Sequence, residues 1–199
     1  MTQAQTITAI RNTAQHLYAA EGYEGLSMRT LAAASGVGLS SIYHFFADKD
    51  VLLKDIFDRI NTMLGDERRR LRSRPTAELM LKDRIAFQFK YMEEVVFVLK
   101  YYLHYRQDFM RLPTKILPPK AYLHIEEVLH KGISTGEFVL RSTDIETQAK
   151  IITHSINGFL LEYYPERPKG RELQTLIGDL TTFIMRSLQY TDRKEVPMK

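Results

Sequence analysis

The side chains best suited to chemistry cluster near the front of the chain. The turn Gly36-Val37-Gly38 leads into Leu39-Ser40-Ser41-Ile42-Tyr43-His44, with Ser27, Arg29 and Thr30 shortly upstream and Lys49 shortly downstream. Hydroxyls, a phenol, an imidazole, a guanidinium and an ammonium all donate hydrogen bonds, so this concentration suits phosphate oxygens and base edges. Catalysis has no comparable constellation. Six His are present (His16, His44, His104, His124, His130, His154), but no His-Glu-x-x-His pair, Gly-rich phosphate loop or Gly-x-Ser-x-Gly elbow accompanies them. The chain has no Cys, which removes disulfides, thiolate metal sites and Cys nucleophiles together. No enzymatic activity, catalytic residue, metal site or cofactor is therefore expected.

The elements that must position these donors are helices. Ile7, Ile10, Ala14, Leu17 and Tyr18 fall on one helical stripe that stops at Gly22. Ser27 is placed to cap a second helix of about two turns carrying Met28, Leu31 and Ala32, and Gly36 supplies its left-handed end. A third short helix follows from Leu39 to Phe45, with Ile42 and one of Phe45 or Phe46 turned inward. Asp48 then caps a long helix striped by Leu52, Leu53, Ile56, Phe57, Ile60 and Leu64 and running toward Arg72. Two short helices joined by a Gly-containing turn meet the description of a helix-turn-helix.

Beyond Pro75 the composition changes. Aromatics crowd the stretch from Ile85 to Met110, and Pro113, Pro118 and Pro119 close it. A helix is expected from about Lys120 to Ser134, then two long amphipathic ones over 144–164 and 171–190, for roughly nine in all. With 10 Gly and 7 Pro in 199 residues, breakers are scarce and the class expected is all-α. The arginine run Arg68, Arg69, Arg70, Arg72 and Arg74 lies about 20 residues, or roughly 30 Å of helix, beyond Lys49. It is expected to be a solvated helix end pointing away from any DNA.

The run from Gly36 to Leu53, preceded by Gly22-Tyr23 and Leu26-Ser27-Met28-Arg29-Thr30-Leu31-Ala32, resembles the DNA-binding head of the tetracycline-repressor (TetR) family of bacterial transcription regulators, over Ile7 to Leu53. The resemblance implies that the third helix enters the major groove while helices two and four hold phosphates. Carried over by position, Leu39, Ser40 and Ser41 face base edges, and Ser27, Arg29, Thr30, Gly38, Tyr43, His44 and Lys49 contact or adjoin the DNA backbone. Gly38 stands where the family usually has Ser. The resemblance also implies an organisation: residues 1–50 as a three-helix DNA-binding head, residues 51–199 as a helical ligand-binding and dimerisation domain, and the helix from about 48 to 72 as connector. Homodimerisation falls to the last two helices, and double-stranded operator DNA and a small-molecule inducer are the implied partners. Phe87, Tyr91, Tyr101, His104, Tyr105, Phe109, His154 and Asn157 are the candidates for its pocket. The function expected is a ligand-responsive regulator, a repressor released from its operator by the inducer.

Charge sets a second possibility beside this one. The chain carries 28 basic and 24 acidic residues, a net of +4, yet residues 1–50 hold three basic groups (Arg11, Arg29, Lys49) against four acidic ones (Glu21, Glu24, Asp48, Asp50). A head so weakly charged predicts a shallow salt dependence and feeble non-specific DNA binding. It also leaves open a helical ligand-sensing or interaction protein without DNA binding. The longest fully apolar run is Val95 to Leu99, far short of the roughly 18 residues a membrane span needs, and the polar start is no signal peptide. A cytoplasmic protein with no membrane partner is expected.

Overall fold

The computed structural model describes residues 2–111, 122–140 and 144–188, with the backbone alone for 109–111. Among them are ten α-helices and no strand. They are α1 (Gln3–Gly25), α2 (Met28–Ser35), α3 (Leu39–Phe45), α4 (Lys49–Arg70), α5 (Ala77–Lys90), α6 (Met92–His104), α7 (Arg106–Arg111), α8 (Leu123–Ser134), α9 (Ile145–Tyr163) and α10 (Gly170–Leu188), with a 3-10 turn over Leu71–Ser73 after α4. The chain forms two compact units. One comprises Met1–Glu67 and Tyr91–Leu117, the other Arg68–Lys90 and Pro118–Lys199.

In the first unit α1 packs along α6, and their shared core explains the stripe. Ile10, Ala14 and Tyr18 are fully buried on α1, and the Tyr18 ring lies 4.8 Å from that of Phe97. Phe57 of α4 stacks on Tyr101 of α6 with ring centroids 4.2 Å apart. Each such buried apolar side chain contributes about 1.5–3 kcal/mol. The predicted helix stop is real: Gly22 has φ +79° and ψ −164°, a conformation only Gly adopts freely, and a short turn to Gly25 continues beyond it. Arg11 forks onto Asp55 with contacts of 2.6 and 2.7 Å, fastening α1 to α4.

The second unit is built on α5, which packs against α8, α9 and α10, while α8 also packs on α9. Asp144 caps α9 by accepting from the Thr147 backbone at 2.9 Å. Glu137 accepts from the amides of Ala77 and Glu78 and so caps the start of α5 from a distant turn.

Where roughly nine helices are expected, ten stand among the described residues. The aromatic stretch from Ile85 to Met110 is cut at Tyr91 and again at Tyr105, although neither position has Gly or Pro. Tertiary packing makes the first cut: α5 is committed to the core of one unit and α6 to that of the other. The arginine run is an exposed helix end at Arg69, Arg70, Arg72 and Arg74, with Arg68 the half-buried exception. Arg72 forks onto Glu127 at 2.7 and 3.0 Å, Arg74 pairs with Asp83, and Arg68 lies against the Phe87 ring, where burial lowers its pKa to about 10.

Candidate nucleic-acid interface

The short front helices are held from both ends. Ser27 and Thr30 form a reciprocal cap on α2: the Thr30 amide donates to the Ser27 hydroxyl at 3.0 Å, and the Ser27 amide donates to the Thr30 hydroxyl at 2.9 Å. Gly36, at φ +67°, closes the helix in the left-handed region, where a β-carbon would cost about 1–2 kcal/mol. Gly38 begins α3 with no side-chain cap. Beneath them Leu26, Leu31, Val37, Ile42 and Phe46 are buried, so Phe46 rather than Phe45 is the aromatic turned inward.

What this leaves outside is the predicted donor set. Ser27, Arg29, Thr30, Gly38, Ser40, Ser41, Tyr43 and His44 are exposed and Leu39 is half-buried. Tyr43 stands 50 % exposed on α3, and the His44 ring packs edge-on to Phe45 at 5.1 Å. Ile42 is fully buried, so a helix of seven residues has one anchored face and one open face of hydroxyls, phenol and imidazole. Such a face offers donors of a length that reaches backbone phosphates and base edges.

Lys49 is placed differently. Its ammonium donates to the carbonyls of Tyr23 and Leu26, both at 3.0 Å, and sits 3.5 Å over the Tyr23 ring centroid. Two of its three protons thus satisfy carbonyls at the end of α1. This accounts for a cation in the first turn of α4, where the helix dipole alone disfavours one. Replacing it by Met is expected to destabilise the protein by about 1–2 kcal/mol through the stranded carbonyls. Urea unfolding of Lys49→Met reads this; unchanged stability with weakened DNA binding would instead make Lys49 a phosphate ligand.

Asp50, beside it, receives the Tyr105 hydroxyl at 2.6 Å and the Tyr23 hydroxyl at 2.8 Å on one carboxylate oxygen. Sequence reasoning passed over this knot, because its members are far apart in the chain. The Tyr105 hydrogen bond, helped by that of Tyr23, holds the Asp50 carboxyl below the usual range, while burial, followed by the same bonds, raises both phenols. With the folded pKa below the unfolded one, the contribution is present above pH about 4 and is lost as pH falls through the folded value. Asp50→Asn is expected to flatten that acid limb in melting temperature measured against pH; an unaltered limb would mean the knot adds nothing.

The residues proposed for a ligand pocket divide between the two units. Tyr91, Tyr101, His104 and Tyr105 belong to the first unit, where Tyr101 stacks on Phe57, His104 on Tyr23 at 3.8 Å, and Tyr105 bonds Asp50. Phe109 lies on α7 and its side chain falls outside the described residues. Phe87 and Asn157 are buried in the second unit, and His154 is exposed there. A cleft of about 450 Å³ in the first unit is walled by Asn12, Gln15, Arg59, Glu93 and Glu94 with Ile56, Ile60 and Met63, none of them among the eight candidates. Among the described residues no three His, Asp or Glu converge as a metal site, and no helix is long and apolar enough to cross a membrane.

Residues 10–56 match the family model of the bacterial regulatory proteins, tetR family. This front segment of the chain is what is similar to the TetR family. The chain's helical fold is that of solved regulators over nearly the whole length. The ketosteroid transcriptional regulator KstR2 of Mycobacterium tuberculosis superposes with a TM-score of 0.76 at 16% identity, covering 96% of this chain and 98% of that one. The MbdR regulator from Azoarcus sp. CIB gives 0.73 at 22% identity, covering 93% and 100%. FadR from Bacillus subtilis, solved in complex with stearoyl-CoA, gives 0.68 at 18% identity, covering 92% and 99%. No curated protein matches the chain in sequence. The TetR match ends inside α4, so it covers the buried scaffold of α1 to α3 and the whole exposed donor face.

Proposed function

We propose that this protein is a regulator of the TetR family, a homodimeric repressor that reads operator DNA with α3 and lets go when a small molecule binds its C-terminal region. The observation that carries the DNA-binding part is the anchored seven-residue helix whose outer face holds Ser40, Ser41, Tyr43 and His44 and whose inner face is Ile42. Ser27, Arg29 and Thr30 join it from the rigidly capped start of α2. None of the α3 side chains is a bidentate base reader, so DNA shape supplies part of the specificity. In this reading residues 1–50 bind DNA, residues 51–199 bind ligand and dimerise, and α4 connects them. No reaction is assigned to the protein.

Dimerisation is supported by apolar side chains left in water. Ile151, Phe159 and Leu161 on α9 and Phe183 on α10 are 38 % to 68 % exposed. A face of this kind on the last two helices suits a two-fold helical interface. Ligand response is supported by the FadR structure with its acyl-CoA, and it works by population shift: a ligand that prefers wrongly spaced heads lowers operator affinity by its differential binding. The test is a gel shift on the DNA flanking the protein's own gene. A saturable shift that resists competitor DNA is expected. No shift at low salt would favour a ligand-sensing protein that does not bind DNA, the possibility that the head's charge of −1 leaves open.

A further inference from the structure

Among the described residues, buried polar side chains gather in the second unit, the Tyr18 hydroxyl of the first unit being the exception. All five buried polar residues among those described, Arg84, Gln88, Thr153, Asn157 and Thr181, lie in the second unit. Thr181 is satisfied by the Ile177 carbonyl. Arg84 is not: it is 5 % exposed, and both its Nε and its Nη1 are buried without a hydrogen-bond partner. The same holds for Gln88 Oε1 one turn along α5, for His124 Nδ1 on α8 and for Thr153 Oγ1 on α9. A native core rarely strands so many groups, and a buried guanidinium without an anion is the costliest of them.

The charges around Arg84 are as lopsided. Its guanidinium lies 5.9 Å from the centroid of the Phe87 ring, and Arg68 lies 5.9 Å from the same ring. The charged and titratable groups that act on Arg84 and His124 are Arg68, Arg72 and Glu127. Glu127, the single acid, is already committed to Arg72 through two hydrogen bonds. Three guanidiniums therefore share one carboxylate. Burial, with Arg68 next, lowers Arg84 to about 9, and burial followed by the neighbouring arginines lowers His124 to about 3, so the imidazole is neutral and its Nδ1 serves as a neutral hydrogen-bonding group.

We propose that Arg84, with Arg68 and His124, receives the oxyanion head, carboxylate or phosphoryl, of an anionic effector whose body lies along Phe87. This rests on the proposed ligand response and names its chemistry. An oxyanion supplies what Arg84 lacks, an acceptor for its unpartnered donors and a counter-charge for its guanidinium. It also restores charge balance between the two arginines on the Phe87 ring. Gln88 and Thr153 are left to bond polar groups on the ligand's body.

The experiment is thermal denaturation of the full chain with octanoate, octyl phosphate or octan-1-ol, for the wild type, Arg84→Met and Arg68→Met. Octanoate or octyl phosphate is expected to raise the wild-type midpoint by about 3–6 °C at ten times its Kd, with octanol leaving it unmoved. The stronger anion identifies the head group. Arg84→Met is expected to abolish the shift and, without ligand, to melt no lower than wild type, because an unpaired buried cation has been removed. Should Arg84→Met fail to fold, Arg68→Met carries the test, with a shift reduced at least tenfold in apparent affinity. Equal stabilisation by octanol, an undiminished shift in the variant that folds, or no shift with either anion overturns the assignment. A gel shift on the same samples separates the two readings: DNA binding without an anion effect sinks the anion site alone, and an Arg84-dependent anion effect without DNA binding sinks the regulator alone.

Discussion

Phe183→Glu is expected to turn the protein into a monomer and to weaken operator binding by roughly 100-fold or more. Phe183 is 68 % exposed on α10, where it touches too little of its own chain to matter for folding. Its replacement should therefore leave the melting temperature of the fold nearly unchanged. Across a two-fold interface, however, each carboxylate faces an apolar surface and its own symmetry mate, which opposes association. Two heads joined in a dimer bind the second half-site at millimolar effective concentration, and separating them forfeits an avidity gain of about 10²–10⁴. A head with net charge −1 has little non-specific attraction to fall back on. Sedimentation velocity and fluorescence anisotropy with labelled operator read the two effects. A variant that stays dimeric would move the interface away from α10.

The second large effect belongs to α3. Tyr43→Phe, combined with Ser40→Ala, is expected to lower operator affinity by about 100-fold while stability stays within about 0.5 kcal/mol. The phenol is half exposed and carries no ring contact among the described residues. Its removal costs the folded protein nothing that can be identified. A hydrogen bond to a charged phosphate is worth about 1.5–3 kcal/mol, and the dimer loses two copies of each donor. Anisotropy titrations at fixed salt, beside urea unfolding, separate binding from folding. Unchanged affinity would mean that α3 does not touch DNA through these side chains.

The two predictions divide the molecule along the line at which the sequence became hard to read. Local features were legible. Ser27 and Asp48 announce helix starts because their side chains bond amides three residues away, and Gly22 and Gly36 announce stops because of their positive φ. Ile42 could be placed inside from the period of a single short helix, and Ser40 outside from the family resemblance. Lys49 was harder, since its carbonyl partners sit 23 and 26 residues earlier in the chain. The break at Tyr91 has no local signal at all: only the assignment of α5 and α6 to different cores produces it. Aromatic residues were hard to place for the same reason. The partners of Tyr101, His104 and Tyr105 in the fold are Phe57, Tyr23 and Asp50, all far away in the chain. Arg84 and Arg68 were invisible as a site because their side chains meet at Phe87 only after α4 turns into α5.

The most direct measurement is a nuclease footprint on the DNA flanking the protein's own gene, made with the wild type and with the Ser40→Ala, Tyr43→Phe variant. Two protected half-sites related by two-fold symmetry, with centres separated by a whole number of turns of about 10 base pairs each, are expected from the wild type. The variant should lose that protection at the same protein concentration. Protection that survives intact in the variant, or none from either protein at low salt, would contradict DNA reading by α3.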